Sequence, residues 1–261
     1  MEILFIFAAC LLLAACLITY MYREAFTNRV IYHDLEFAAF PKSFGKVRIF
    51  FISDIHRREV SHKVIEKIKG KADIVIIGGD LTEKGVPFER VQENLQALKT
   101  LGPVFFVWGN NDYEVEAPLL DALLLNQGVK ALSNSSITFE SETGDRLFLL
   151  GVDDISTNRE DLEEALSETK EEGFRLFVSH NPQIRKRIRP EHGIHLMLSG
   201  HTHGGQIRLF GFGLYEKGGL IWEHGRTILI SNGYGTTGVP LRLGARAETH
   251  LITLSHPSEI I

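Results

Sequence analysis

Uncharged, mostly apolar side chains run from Ile3 to Tyr22 without a break. Twenty helical residues rise about 30 Å, the thickness of a bilayer's hydrocarbon core, so the stretch predicts a membrane-spanning helix. Beyond it the pattern changes to short apolar runs, "VRIFFIS", "DIVIIGG", "PVFFVWG", "LFLLGV", "FRLFVS", "IHLMLSG" and "TILISNG", each followed by a turn and an amphipathic stretch. These predict buried strands in α/β alternation. Two surface helices are expected, one over "PFERVQENLQALKTL" with proline at its start, the other over "NREDLEEALSETKEEG", which opens on a capping residue and ends in glycine. The chain divides into an anchor (1–24), a polar and aromatic lead-in (25–46) closing at "PKSFG", and one folded body (47–261).

Charge fixes an expected orientation. Glu2 is the sole charge ahead of the span, whereas Arg23, Arg29, Lys42, Lys46 and Arg48 follow it. The positive-inside rule then makes this a single-pass protein of the cell membrane with its body in the cytoplasm. The rival reading is an exported lipoprotein cleaved at "LAAC", but no positive charge precedes the apolar run, and the run continues past Cys16 through "LITYMY". Both cysteines, Cys10 and Cys16, fall in this segment, which leaves the body without disulfides or zinc-thiolate sites. The net charge of −5 is spread among interspersed acids and bases, which argues against nucleic acid as a partner.

Strand after predicted strand ends in a metal-binding side chain: Asp54 and His56 in "SDIH", Asp80 in "GGD", Asn110 in "GNND", His180 in "SHNP", His201 and His203 in "GHTHGG". Ligands collect beyond the carboxyl ends of strands in open α/β sheets, so these groups are placed to converge. If the backbone stays extended there, side chains two apart point the same way, and each Asp/His or His/His pair reaches one pocket. Imidazole, carboxylate and amide oxygen without thiolate suit Mn²⁺, with Fe or Zn²⁺ as alternatives. Seven donors exceed the needs of one ion. Two divalent cations against two carboxylates leave a net positive site, which favours an anionic substrate such as a phosphate ester or pyrophosphate.

In order and spacing these five blocks resemble those of the calcineurin-like metallophosphoesterases, most closely the bacterial membrane-associated branch carrying "GHTHGGQ". The resemblance implies a four-layer α/β sandwich of two mixed β-sheets flanked by helices. It also implies a dinuclear metal-dependent phosphohydrolase that cleaves a phosphodiester or phosphoanhydride by attack of a metal-bridging hydroxide. Asp54, His56 and His203 would hold one ion, Asn110, His180 and His201 the other, with Asp80 between them. Asn110, Asn111 and Asp112 would serve catalysis.

One position departs from the family pattern: Asn111 stands where the family has histidine, ahead of Asp112. An amide can donate a hydrogen bond to a phosphoryl oxygen but cannot deliver a proton at neutral pH. Three readings stay open: a substrate whose leaving group needs little protonation, such as a pyrophosphate or aryl phosphate; replacement of the histidine by His192, His195 or His224; or a catalytically weak or inactive metal-binding membrane scaffold. A nuclease is the further alternative. In "QIRLFGFGLYEKGGLIWEHGR", Phe210, Phe212, Leu214, Tyr215 and Trp222 either line an apolar entrance suited to a lipid-linked phosphate or pack as a hairpin on the core. Arg242, Asp153 and Asp154 read either as site-flanking groups or as ordinary surface residues.

Overall fold

The computed structural model describes residues 1–258. It opens with α1 (Glu2–Ala25), followed by β1 (Arg29–Glu36), β2 (Lys46–Ile52), α2 (His62–Ile68), β3 (Ile74–Ile77), α3 (Phe88–Lys99), β4 (Val104–Phe106), α4 (Ala117–Asn126) and β5 (Lys130–Ala131). The second half contains β6 (Ser135–Glu140), β7 (Arg146–Gly151), α5 (Leu162–Ser167), β8 (Phe174–Val178), β9 (Ile194–Ser199), β10 (Gly219–Glu223), β11 (Arg226–Ile230) and β12 (Glu248–Ser255). Two six-stranded mixed sheets result, ordered β1-β12-β2-β3-β4-β5 and β10-β11-β9-β8-β7-β6.

The period-2 alternation of strand side chains builds the four layers. Ile49 and Phe51 of β2 face inward with Ile74 and Ile76 of β3, meeting Leu147, Leu149, Leu176, Leu196 and Leu198 of the opposite sheet in the central core. Phe50 and Ile52, on the other face of β2, pack with Val64, Val91, Leu95 and Leu120 under α2, α3 and α4. A third cluster joins Leu150, Phe177 and Met197 to Leu162 and Ala165 of α5. Strands β2, β3 and β4 are mutually parallel, as are β7, β8, β9 and β11, so their carboxyl ends emerge along one rim.

The lead-in segment turns out to be structural. Within 25–46, β1 pairs in parallel with β12 along its whole length, from Arg29 opposite Glu248 to Glu36 opposite Ser255. Its alternating, half-exposed sequence gives little apolar signal, and its partner lies about 220 positions away, which is why the pattern alone missed it. A fragment beginning at Val47 is therefore expected to melt well below one beginning at Phe26, since it bares the edge of β12; equal melting temperatures would show that β1 contributes nothing. The second predicted surface helix is shorter than its pattern, α5 holding only Leu162–Ser167 behind an Asp161 cap that accepts from Glu164 N.

The helix α1 is long and apolar enough to cross a membrane, and its side chains from Glu2 to Tyr20 are exposed. Its last turn is different. Met21, Glu24 and Ala25 are buried against the body, Met21 O accepts from Arg242 N at 3.0 Å, and Glu24 pairs with Arg246 at 2.6 Å. Arg58 closes the joint, donating to Phe26 O, Thr27 O and Tyr234 O.

Candidate metal centre

Each candidate ligand follows the end of a strand: Asp54 and His56 follow β2, Asp80 β3, Asn110 β4, His180 β8, His201 and His203 β9. The backbone there is not extended. Asp54, His56, Asp80, His201 and His203 all adopt positive φ, between 48° and 70°. The expectation that residues two apart share a direction because they continue a strand is thus corrected: the chain coils sharply after each strand, and left-handed residues aim the side chains inward. Asp and His tolerate this region better than most, but each such residue costs on the order of 1 kcal/mol, and such strain gathers at functional sites. Glycines make room for the crossing loops. A Cβ at Gly79, itself at φ 82°, would stand 2.6 Å from the His180 ring, and one at Gly109 or Gly200 would collide with Asp80 or Asp54.

The fold brings all seven predicted side chains to one rim. His56 Nε2 and His203 Nε2 face each other at 3.1 Å, and His203 Nε2 lies 3.4 Å from Asp54 Oδ1. On the other side His180 Nε2 and His201 Nδ1 are 3.1 Å apart. Asp80 Oδ2 lies between the two pairs, 3.2 Å from His180 Nε2 and 3.7 Å from His56 Nε2. Asp54, His56 and His203 form one three-donor group, and Asp54, Asp80 and His180 a second, with the donor atoms of each group all within 4.8 Å of one another.

Outer contacts aim these rings. Gly78 O lies 2.9 Å from His180 Nδ1, and Glu83 Oε2 lies 3.0 Å from His56 Nδ1. A carbonyl oxygen can only accept, so a His180 ring holding a cation would keep its proton on Nδ1 and turn Nε2 to the centre, and Glu83 stands where it would favour the same orientation of His56. Asp54 Oδ2 and Asn110 Oδ1 are buried with no hydrogen-bond donor. Converging lone pairs and orphaned oxygens are costly unless a cation fills the space between them, so the residues fit a pair of divalent ions. Electrostatics agrees. Burial disfavours a charged His180, but Asp80 and then Asp54 outweigh it and lift its pKa to about 10: the carboxylates hold a positive charge here. Burial, with His56 and Arg242 nearby, drives His203 the other way.

Asn111 and Asp112 divide in role. Asn111 N donates to Asp80 Oδ1 at 2.8 Å, and its side chain borders the cavity while bonding Glu114 Oε1 and accepting from Asn110 Nδ2. Asp112 is fully buried and accepts from Gly109 N, Asp80 N and Thr82 N, which ties the loops after β3 and β4 together. Burial first and Asp80 second push its carboxyl up to about 7. The cavity of about 410 Å³ is lined by Asp80, Asn110, Asn111, His201 and His203, with Leu214 and Tyr215 at its edge.

The three spare histidines lie elsewhere. His192 packs against Arg189, His195 stacks on Phe174 at 4.8 Å, and His224 sits at the exposed turn between β10 and β11. Asp153 accepts the Tyr113 hydroxyl, and Asp154 caps the turn at Thr157. Arg242 reverses the surface reading: it is wholly buried and donates to Asn232 O, Gly235 O and Ala245 O while its Nη2 sits 3.1 Å from His203 Nδ1. Glu83 also escaped the sequence reading; the spacing Asp80-x-x-Glu83 was the available signal.

Comparison with known proteins accords with this geometry. The family model described as calcineurin-like phosphoesterase matches residues 47–205. The chain belongs to that family. It is 46% identical to the Bacillus subtilis protein YpbG over 248 residues, covering 94% of each chain. It is 31% identical to the B. subtilis metallophosphoesterase YkoQ, over 78% of this chain and 82% of that one. A transmembrane protein with metallophosphoesterase domain from Danio rerio is 30% identical, over 94% of this chain and 61% of its own length. Among solved structures, the 5′-nucleotidase precursor of Thermus thermophilus shares the fold with a TM-score of 0.52 at 13% identity; the match covers 80% of this chain and 55% of that one. The metallophosphoesterase thus has the two-sheet architecture of its family, with an apolar helix added in front.

Proposed function

We propose that this metallophosphoesterase is a membrane-anchored hydrolase of a phosphodiester or phosphoanhydride, working with two divalent cations. The observation that carries the reading is the meeting of two imidazole pairs, each 3.1 Å apart, around the Asp80 carboxylate. Asp54, His56 and His203 would hold one ion and Asn110, His180 and His201 the other, with Asp80 shared. Mn²⁺ suits this imidazole, carboxylate and amide set. Bound there, the cations would supply charge neutralisation for the phosphoryl group and acidify water. The chain's own part is positioning. Asp112 fixes the two loops, Glu83 and Gly78 O fix the rings, and Asn111 borders the cavity, where the second N–H of the amide that bonds Glu114 would donate to a phosphoryl oxygen.

Because that amide carries no transferable proton and, among the described residues, no spare histidine borders the cavity, the substrate should be one whose leaving group departs unprotonated. With Mn²⁺ present, turnover of bis-p-nitrophenyl phosphate and of a nucleotide diphosphate is expected to exceed that of glycerol phosphate by on the order of a hundredfold. Asn111→His should raise the alkyl rate most. Equal rates on all three substrates would contradict the leaving-group assignment, and two tightly held ions with no turnover on any would point to a scaffold. The charges after the span support a domain on the cytoplasmic side; cleavage of the domain by protease added outside intact cells would refute that reading.

A further inference from the structure

Beside the cavity the chain makes a tight hairpin whose tip violates its own turn chemistry. Leu209 and Phe212 exchange backbone hydrogen bonds of 2.9 Å, and the two residues between them, Phe210 and Gly211, both have positive φ, at 52° and 87°. That is a type I′ turn, whose first central position suits Asn, Asp or Gly and strains a bulky side chain. Here it carries a phenylalanine that is 100% exposed, flanked by Phe212 at 82% and Leu214 at 92%. A strained, fully hydrated aromatic gains nothing from the fold itself. Its apolar surface must be covered by something outside the chain.

The hydrogen bonds show what lies next to it. Arg208 N donates to Leu243 O, Leu243 N donates to Gln206 O, and Arg242 N donates to Met21 O in the last turn of α1. The Arg208 side chain braces the hairpin through Gly211 O, Tyr215 O and Gly204 O. Because burial against the body begins at Met21 itself, no linker separates the apolar helix from the domain. A bilayer crossed by α1 must therefore end where this loop begins. We propose that Leu209, Phe210, Phe212 and Leu214 insert into the headgroup and acyl boundary of that same bilayer, which turns the cavity mouth, edged by Leu214 and Tyr215, toward phosphate esters carried on membrane lipids. This rests on the membrane-anchored hydrolase reading.

The test uses the full chain reconstituted in phosphatidylcholine vesicles. Of its two tryptophans, Trp108 is buried and Trp222 exposed, so Trp222→Phe removes the competing signal and Phe210→Trp places an indole at the tip. Lipids brominated on the acyl chain should quench that indole at least twofold, and should leave the Trp222→Phe parent unaffected. The pair Phe210→Asn and Phe212→Asn, which relieves the turn, should keep the melting temperature and the rate on bis-p-nitrophenyl phosphate in detergent. The same pair should lose severalfold in rate on a short-chain phospholipid phosphodiester embedded in vesicles. An unquenched tip indole on chains that float with the vesicles would overturn the insertion and leave the anchor standing; chains that fail to float would overturn both. Quenching without turnover of either ester would uphold the insertion and refute the hydrolase reading.

Discussion

Asp80→Asn is expected to lower kcat/KM on bis-p-nitrophenyl phosphate by about a thousandfold, the scale of losing a charge-stabilising group aimed at the reacting centre. The substitution keeps shape. Oδ1 can still accept from Asn111 N, and the backbone N–H still reaches Asp112, so the loops after β3 and β4 stay joined. What disappears is the negative charge 3.2 Å from His180 and 3.7 Å from His56, a carboxylate in contact with both halves of the cluster. Metal content should fall from two equivalents toward one or none, with an unchanged circular dichroism spectrum. Two retained equivalents and a rate within about tenfold of the parent would show that Asp80 is not shared between ions.

Arg242→Met is expected to be the most destabilising single change in the body. The parent guanidinium is fully buried and satisfies the carbonyls of Asn232, Gly235 and Ala245 while lying against His203. Burial lowers its pKa to about 10, which still leaves it charged at neutral pH. Removing it strands several buried acceptors in the loop that also receives the end of α1, and a cost of about 3–5 kcal/mol follows for a buried charged network of this kind. For a domain of this size that is a melting temperature lower by roughly 10 °C. The unfolding midpoint of the full chain in detergent checks this, and a shift of under about 2 °C would show that the loop does not depend on its arginine.

The seven candidate ligands were legible because each sits at the boundary between an apolar run and a glycine or polar turn, where strand periodicity stops and side chains become free to converge. Alternation in "VRIFFIS" and "DIVIIGG" likewise shows α/β layering, although the pairing of two six-stranded sheets came from the family resemblance and not from periodicity. What stayed illegible is set by tertiary contacts. Arginine in a glycine-rich loop reads as solvated, and only the carbonyls of Asn232, Gly235 and Ala245 make Arg242 a core residue. The left-handed backbone at Asp54, His56 and His203 leaves no trace in residue type beyond the tolerance of Asp and His for it. Strand β1 hides for a third reason: an edge strand half open to water carries too few apolar positions to announce itself.

All of this depends on the rim of strand ends being built around two cations. The most direct measurement is anomalous diffraction from crystals of the full chain reconstituted with Mn²⁺. Two peaks are expected, one against the His56 and His203 pair and one against the His180 and His201 pair, both touching the Asp80 carboxylate. A single peak, or peaks that leave Asp80 and either imidazole pair uncontacted, would contradict a dinuclear centre in this protein.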